Sequence, residues 1–284
     1  MQLITARHEG RTRAGVVEGD EVALTDSADV GSLLREAGGD PRRISARGPR
    51  VPLAQADPAP LIPRPDKIVC LGLNYARHIA EMGREPPRYP TLFAKYAAAL
   101  IGARDPIVLP RVSDQVDWEA ELAVVVGRPG RHIPAGDALA HVAGYTVLND
   151  VTARDWQYRT GEFLSGKTFE ATTPLGPFLV TPDELPPGAS GLAISCAVDG
   201  VEMQRSTTAD LLFDVAAILA YVSQITTLRP GDVIATGTPG GVGAGRNPQL
   251  FLRAGQTVTT EIEGIGRLEN VCAAEPAEPA ESGR

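Results

Sequence analysis

DWEAELAVVVG, residues 117–127, is the stretch from which the architecture of this chain is read. Side chains in a strand alternate between faces, so Trp118, Ala120, Leu122, Val124 and Val126 share one face. Glu119 and Glu121 share the other. Two carboxylates about 7 Å apart on a half-buried strand repel by roughly 2 kcal/mol at an effective dielectric near 20, and desolvation adds to the cost. A cation would remove that penalty, whereas a solvated face with two ordinary surface glutamates would not need one. A third carboxylate, Asp150, ends the apolar run GYTVLND, where a strand terminus can aim it into a shared cavity. Three oxygen ligands without His or Cys suit a hard ion, Mg²⁺ or Mn²⁺, with Ca²⁺ able to substitute.

Outward from this stretch the chain stays rich in strands. IVLP, GPFLV and LAISCAVDGVEM read as strands, the last with a hairpin turn at Asp199-Gly200, and RTRAGVVEGDEVAL forms a hairpin around Gly19-Asp20. KIVCLGL is a buried strand leading into NYARHIAEMG, a short helix capped by Asn74 and ended by Gly83. One longer helix is predicted from Thr208 to about Thr226, where Leu211, Leu212, Val215, Ile218, Leu219 and Val222 recur at helical spacing. Many strands with few long helices give an α+β, mainly β class. The Pro-, Gly- and Arg-rich composition from Gly38 to Asp66 places a boundary near residue 60. Expected are a small β-rich N-terminal domain and linker at 1–60, a catalytic domain at 61–273, and a disordered polar tail at 274–284.

Composition narrows the function classes. A formal charge of -8 and the lack of any basic run argue against a nucleic-acid partner. Cys70, Cys196 and Cys272 form no C-x-x-C pair, which disfavours a disulfide framework and a zinc site and fits a reducing cytoplasm. MQLITARHEG carries no long apolar core, and no stretch reaches the roughly 18 apolar residues of a membrane span, so neither secretion nor membrane insertion is expected.

Basic and polar residues follow the third carboxylate. VTARDWQ offers Arg154 and Gln157, and Lys167 sits in SGKTFEATTPLGP; together they could hold an anion against the ion, and separately each could be a surface ion pair. Lys95, which interrupts LFAKYAAALIG, is a weaker pocket candidate. His78 lies three residues before Glu81 on the short helix, so a carboxylate can orient the imidazole and raise its basicity, as a water-activating base requires. GEFLSGKT at 161–168 matches the phosphate-cradling P-loop pattern, but TARDWQYRT before it is charged, and Pro174 and Pro177 stand where a helix should run. A nucleotide site is therefore disfavoured. TGTPGGVGAG reads as a tight loop beside a ligand.

In their order, GLNYARHIAEMG, DWEAELAVVVG, GYTVLNDVTARDWQ, GKTFEATTPLGP and LRPGDVIATGTPGGVG resemble the fumarylacetoacetate hydrolase superfamily over about residues 66 to 272. The resemblance implies a mixed β-sandwich roll, usually a homodimer, with Mg²⁺ or Mn²⁺ held by Glu119, Glu121 and Asp150. It further implies that Lys167, Arg154 and Gln157 line the pocket, that Thr238 contacts the substrate carboxylate, and that His78 and Glu81 form a water-activating dyad on a lid. Departures are Thr168, Phe169 and Glu170, where the family often has Ser-Phe-Asp, and Phe163 in place of a common tryptophan. These touch the pocket wall and bear on substrate identity. The implied substrates are small 2-oxo acids. The first expectation is hydrolysis of acylpyruvate-type 2,4-dioxo acids through a metal-bound pyruvate enolate; the alternatives are oxaloacetate decarboxylation and 2-hydroxyhepta-2,4-diene-1,7-dioate isomerisation.

Overall fold

The computed structural model describes residues 1–76, 79 and 85–277. Among them the mainly β class holds: a twelve-stranded mixed sheet packs against a five-stranded one, with a two-stranded ribbon beside them. Along its main path the large sheet runs Arg50–Pro52, Glu21–Leu24, Arg11–Glu18, Gln2–His8, Thr173–Val180, Val142–Asn149, Ala120–Val126, Val233–Ala235, Ile68–Gly72 and Thr91–Ala94. Val233–Ala235 and Ile68–Gly72 pair in parallel. The N-terminal hairpins extend this sheet, since Gln2–His8 pairs with Thr173–Val180. Both predicted hairpin turns are present, closing Glu18 against Glu21 and Val198 against Val201. At the second, Asp199 and Gly200 both take positive φ (50° and 77°), the geometry a two-residue hairpin demands.

Ala120–Val126 is buried on both faces, not half-buried as its alternation suggests. Its Trp118 face packs on Ile194, Cys196, Val258 and Leu268 of the five-stranded sheet, while Ala123 and Val125 on the glutamate face join a second core with Leu3, Leu34 and Ile62. The N-terminal segment thus supplies apolar cover that the local pattern cannot reveal.

The predicted long helix is shorter than its periodicity. Helix Val215–Ile225 begins at Asp214, whose side chain accepts from Ala217 N–H. Residues 211–213 are instead captured by Asn74: Leu212 N–H donates to Asn74 O, and Phe213 N–H to Asn74 Oδ1. Tertiary hydrogen bonds win over helical propensity there. Thr91–Ala94 is a strand that the sequence reading passed over. The final strand runs through Ala274, and Glu275 N–H donates to Leu109 O. His78 and Glu81, with residues 77, 80 and 82–84 of the segment expected as a short helix, and residues 278–284 of the expected tail lie outside the described residues.

Trp118 joins the core to the site, being 1% exposed with its Nε1 donating to Gly241 O at 3.2 Å. Trp118→Ala is expected to cost about 3–5 kcal/mol, read as a lower denaturant midpoint at unchanged slope. A loss below 1 kcal/mol would show that this indole does not anchor the sheet.

Candidate metal centre

Strand register builds the carboxylate cluster. Ala120 pairs with Asn149 and Glu121 with Leu148, so Glu119 comes beside Asp150, whose N–H donates to Glu119 O at 2.8 Å. Asn149 Oδ1 accepts from Glu119 N–H at 2.9 Å. One ligand oxygen from each of Glu119, Glu121 and Asp150 lies within 4.8 Å of the others, and all three residues are buried. The trio expected from the sequence is therefore assembled.

Cations surround it. Lys167, on the short helix Leu164–Lys167, donates to Glu119 Oε2 and Asp150 Oδ2, both at 2.7 Å. Arg154 opens the helix Arg154–Gln157; its Nη1 reaches Glu119 Oε1 at 2.7 Å and Gln157 Oε1 at 2.9 Å. Lys95 does not line the pocket as the sequence suggested. It lies behind Asp150, donating to Oδ1 at 2.6 Å and to Val151 O at 3.1 Å. Lys167 leaves its P-loop pattern the same way: its ammonium is committed to two carboxylates, and a helix and turn, not a strand, precede Gly161.

Burial, with Asp150 and Glu119 adding to it, pushes the Glu121 carboxyl well above its ordinary pKa, against the opposing pull of Lys167 and Gly237 N–H. For Asp150, burial acts in the same direction, but Lys167 and Lys95 outweigh it and hold the group below its ordinary value. Burial would lower Lys167, yet Asp150 and Glu119 raise it. Glu121 Oε2 accepts from Gly237 N–H at 2.8 Å, while Oε1 is buried without a partner among the described residues. An orphaned carboxyl oxygen beside two more carboxylates, in a group that offers oxygen ligands alone among the described residues, fits a hard divalent ion better than a structural ion pair. The free Tyr75 Oη is likewise buried and unpaired, and burial followed by Glu121 and Asp210 drives its pKa up.

A cavity of about 430 Å³ opens beside the cluster. Glu119, Arg154, Gln157, Lys167 and Thr238 line it, so five sequence-nominated residues meet there. Phe93 and Phe163 form an edge-to-face wall with centroids 5.8 Å apart, and Lys167 Nζ stands 4.9 Å from the Phe93 ring centre. The glycine-rich loop adds Gly241, Val242, Ala244 and Gly245 to the lining.

Asp117 was missed. It accepts from Trp118 and Gly243 N–H at Oδ1 (2.8 and 2.6 Å) and from Ala244 N–H and Arg154 Nε at Oδ2 (both 2.9 Å). One buried carboxylate thus ties the glycine-rich loop to the arginine. A Cβ on Gly243 would meet Leu250 O at 1.9 Å, which is why glycine stands at that close approach. Its signal was in the sequence, since the alternation that groups Glu119 with Glu121 includes Asp117.

Buried carboxylates beside a small cavity walled by basic residues form an all-oxygen cluster that could hold a hard cation. The chain belongs to the fumarylacetoacetate hydrolase family, whose C-terminal domain matches residues 67–273. It is similar to the mitochondrial oxaloacetate tautomerase Fahd2a of Rattus norvegicus, 46% identical over 81% of this chain and 73% of that one. Among solved structures it is similar to 5-carboxymethyl-2-hydroxymuconate delta-isomerase from Mycobacterium smegmatis, with 34% identity, TM-score 0.82, and 97% and 100% of the two chains covered. The fumarylacetoacetate hydrolase of Exiguobacterium antarcticum is 35% identical with TM-score 0.84 over the same shares. These relatives are enzymes. No helix among the described residues is long and apolar enough to cross a membrane.

The electrostatics predict a pH signature of the metal-free protein. The fold binds the Glu121 proton more tightly than the unfolded chain, so this stabilisation is full below the unfolded pKa of about 4.3 and is lost as pH rises through the raised folded value. Asp150 works oppositely, losing its contribution only as pH falls through its depressed value. In chelator, the unfolding midpoint should therefore decline as pH rises above the unfolded carboxyl value, and Glu121→Gln should flatten that decline. Mn²⁺ should raise the midpoint, with proton release on binding. A midpoint insensitive to Mn²⁺ at every pH would remove the metal assignment.

Proposed function

We propose that this chain is a divalent-metal-dependent enzyme that interconverts enol and keto forms of a small 2-oxo acid, with oxaloacetate as the first substrate to assay. The observation that carries the proposal is the unpartnered Glu121 oxygen in the carboxylate trio beside a cavity walled by Lys167, Arg154 and Thr238. The tautomerase name of a relative 46% identical supports the reaction type. Glu119, Glu121 and Asp150 would hold Mg²⁺ or Mn²⁺, which when bound supplies a Lewis acid for the 2-oxo oxygen and the adjacent carboxylate.

The chain's own groups do the rest. Lys167 faces the cavity with its pKa raised by Asp150 and Glu119, so it keeps its proton and offers positive charge to a developing oxyanion. Gln157 spends its Oε1 on Arg154, which leaves its amide N–H groups to donate to substrate oxygens. Phe93 and Phe163 keep water from one side. Moving a proton between oxygen and carbon needs a group that gives and takes near neutral pH, and the proposal assigns this to His78 with Glu81. It further takes the chain as a cytoplasmic homodimer; the three free, buried cysteines accord with a reducing compartment.

Acylpyruvate hydrolysis is the second reading, favoured by the His78 and Glu81 pair and by the hydrolase from Exiguobacterium antarcticum at 35% identity. There the pair would take a proton from the attacking water instead. The two are separated by assaying enol-oxaloacetate ketonisation, by its ultraviolet absorbance, alongside acylpyruvate and fumarylpyruvate cleavage, with Mn²⁺ or chelator. Expected is Mn²⁺-dependent ketonisation that Glu119→Ala, Glu121→Ala or Asp150→Ala returns to background. His78→Ala should lower the turnover by about 10²- to 10⁴-fold while Mn²⁺ still binds. Cleavage without ketonisation would install the second reading, and neither activity with Mn²⁺ present would refute both.

A further inference from the structure

Gln204, on the Val201–Thr207 strand of the five-stranded sheet, is buried and reaches across to the large sheet. Three bonds hold its amide. Ala120 N–H donates to Oε1 at 3.0 Å, and Nε2 donates to Pro239 O and to Thr238 Oγ1, both at 2.9 Å. Backbone partners at both ends decide which end is which, because an N–H cannot accept and a carbonyl cannot donate. A flipped amide would set donor against donor and acceptor against acceptor. Thr238 Oγ1 is therefore the acceptor in its bond with Gln204. Its own proton must point elsewhere, and no described residue accepts it. Thr238 is half-buried and lines the cavity.

We propose that Gln204 is a positioning residue that makes Thr238 a fixed hydrogen-bond donor to the cavity, and so selects ligands presenting a carboxylate or other acceptor oxygen at that wall. The same amide bonds Ala120, the residue between Glu119 and Glu121, so the donor and the candidate ion ligands share one rigid frame. This deepens the function proposed above and rests on the cavity being a site for 2-oxo acid anions.

The test is oxalate binding to the full chain by calorimetry at saturating Mn²⁺, with Mn²⁺ affinity measured separately. Gln204→Glu is nearly isosteric and still accepts from Ala120 N–H; its second oxygen gives up the bond to Pro239 O, to which it cannot donate, and accepts the Thr238 proton, turning that donor away from the cavity. Oxalate affinity should fall by about tenfold or more, the worth of one hydrogen bond to a charged group, with Mn²⁺ affinity within about threefold. Thr238→Val should cost the same. The double variant should be no worse than either alone, because both remove one donor; simple repulsion by the new carboxylate would instead add to the Thr238→Val loss. With substrate, KM should rise while kcat changes little. Gln204→Met, neutral and of similar length, covers the case in which Gln204→Glu does not fold: it leaves the Thr238 hydroxyl free to rotate, and oxalate affinity should fall by about threefold or more. Parent-like oxalate binding in either variant, or additive losses, overturns the assignment of Gln204 alone. A parent that binds Mn²⁺ but no oxalate overturns the reading of the cavity, and this inference with it.

Discussion

Mutual repulsion among Glu119, Glu121 and Asp150 is the constraint on which the rest of the structure depends. Three buried carboxylates with ligand atoms within 4.8 Å of one another cannot all ionise unless charge is supplied. The fold supplies part of it through Lys167 and Lys95 on the two oxygens of Asp150, and through Arg154 on Glu119. What remains falls on Glu121, the member with an oxygen unpartnered among the described residues, and burial, with the charges of Asp150 and Glu119 adding to it, raises its pKa. Such an arrangement makes little sense as a stabilising core. Buried ion pairs seldom outperform apolar packing of the same volume, so an incompletely compensated cluster speaks for a ligand.

That constraint explains why the surrounding elements are tied as they are. The carboxylates come from adjacent strands, where register fixes them, but their partners come from short helices and loops that could drift. Asp117 prevents this on one side by holding Arg154 and the 243–244 backbone together. Gln204 does so on the other by joining Ala120 to Thr238 and Pro239. Each buried polar side chain has its hydrogen bonds directed at a cavity wall, which is the support that precise placement of ligand-binding groups requires.

How much of this was legible in the sequence follows the range of each interaction. Alternation in 117–127 reveals the paired glutamates, and the strand end at Asp150 reveals their third partner, because both signals are local. Alternation also includes Asp117, though a carboxylate beside a tryptophan carries no mark of its four hydrogen bonds. Lys95 could be seen as a cation in an apolar run, but whether it faced the cavity or the back of Asp150 depended on where the Thr91–Ala94 strand was placed. Gln204 had no signal at all, since its partners are 84, 34 and 35 residues away. The over-long helix at 208–226 has the same origin: periodicity reported the buried face correctly, and Asn74, more than a hundred residues earlier in the chain, decided where the helix could start.

Charge balance gives the site an order of events. Asp117, Glu119, Glu121 and Asp150 carry four negative charges when ionised, against three positive ones on Lys95, Lys167 and Arg154. Without an ion the cluster is either net negative or keeps a proton on Glu121, and it gives an incoming carboxylate no net attraction. A divalent ion held by the three carboxylates would take the place of that proton and turn the deficit of one into an excess of one. Only then would the cavity attract an anion, with the Lys167 ammonium and the Thr238 hydroxyl at its walls. On the function proposed above, ion before substrate would be the order that the buried charges favour, and a small 2-oxo acid would return the site to neutrality if it brought one negative charge or to a single negative charge if it brought two.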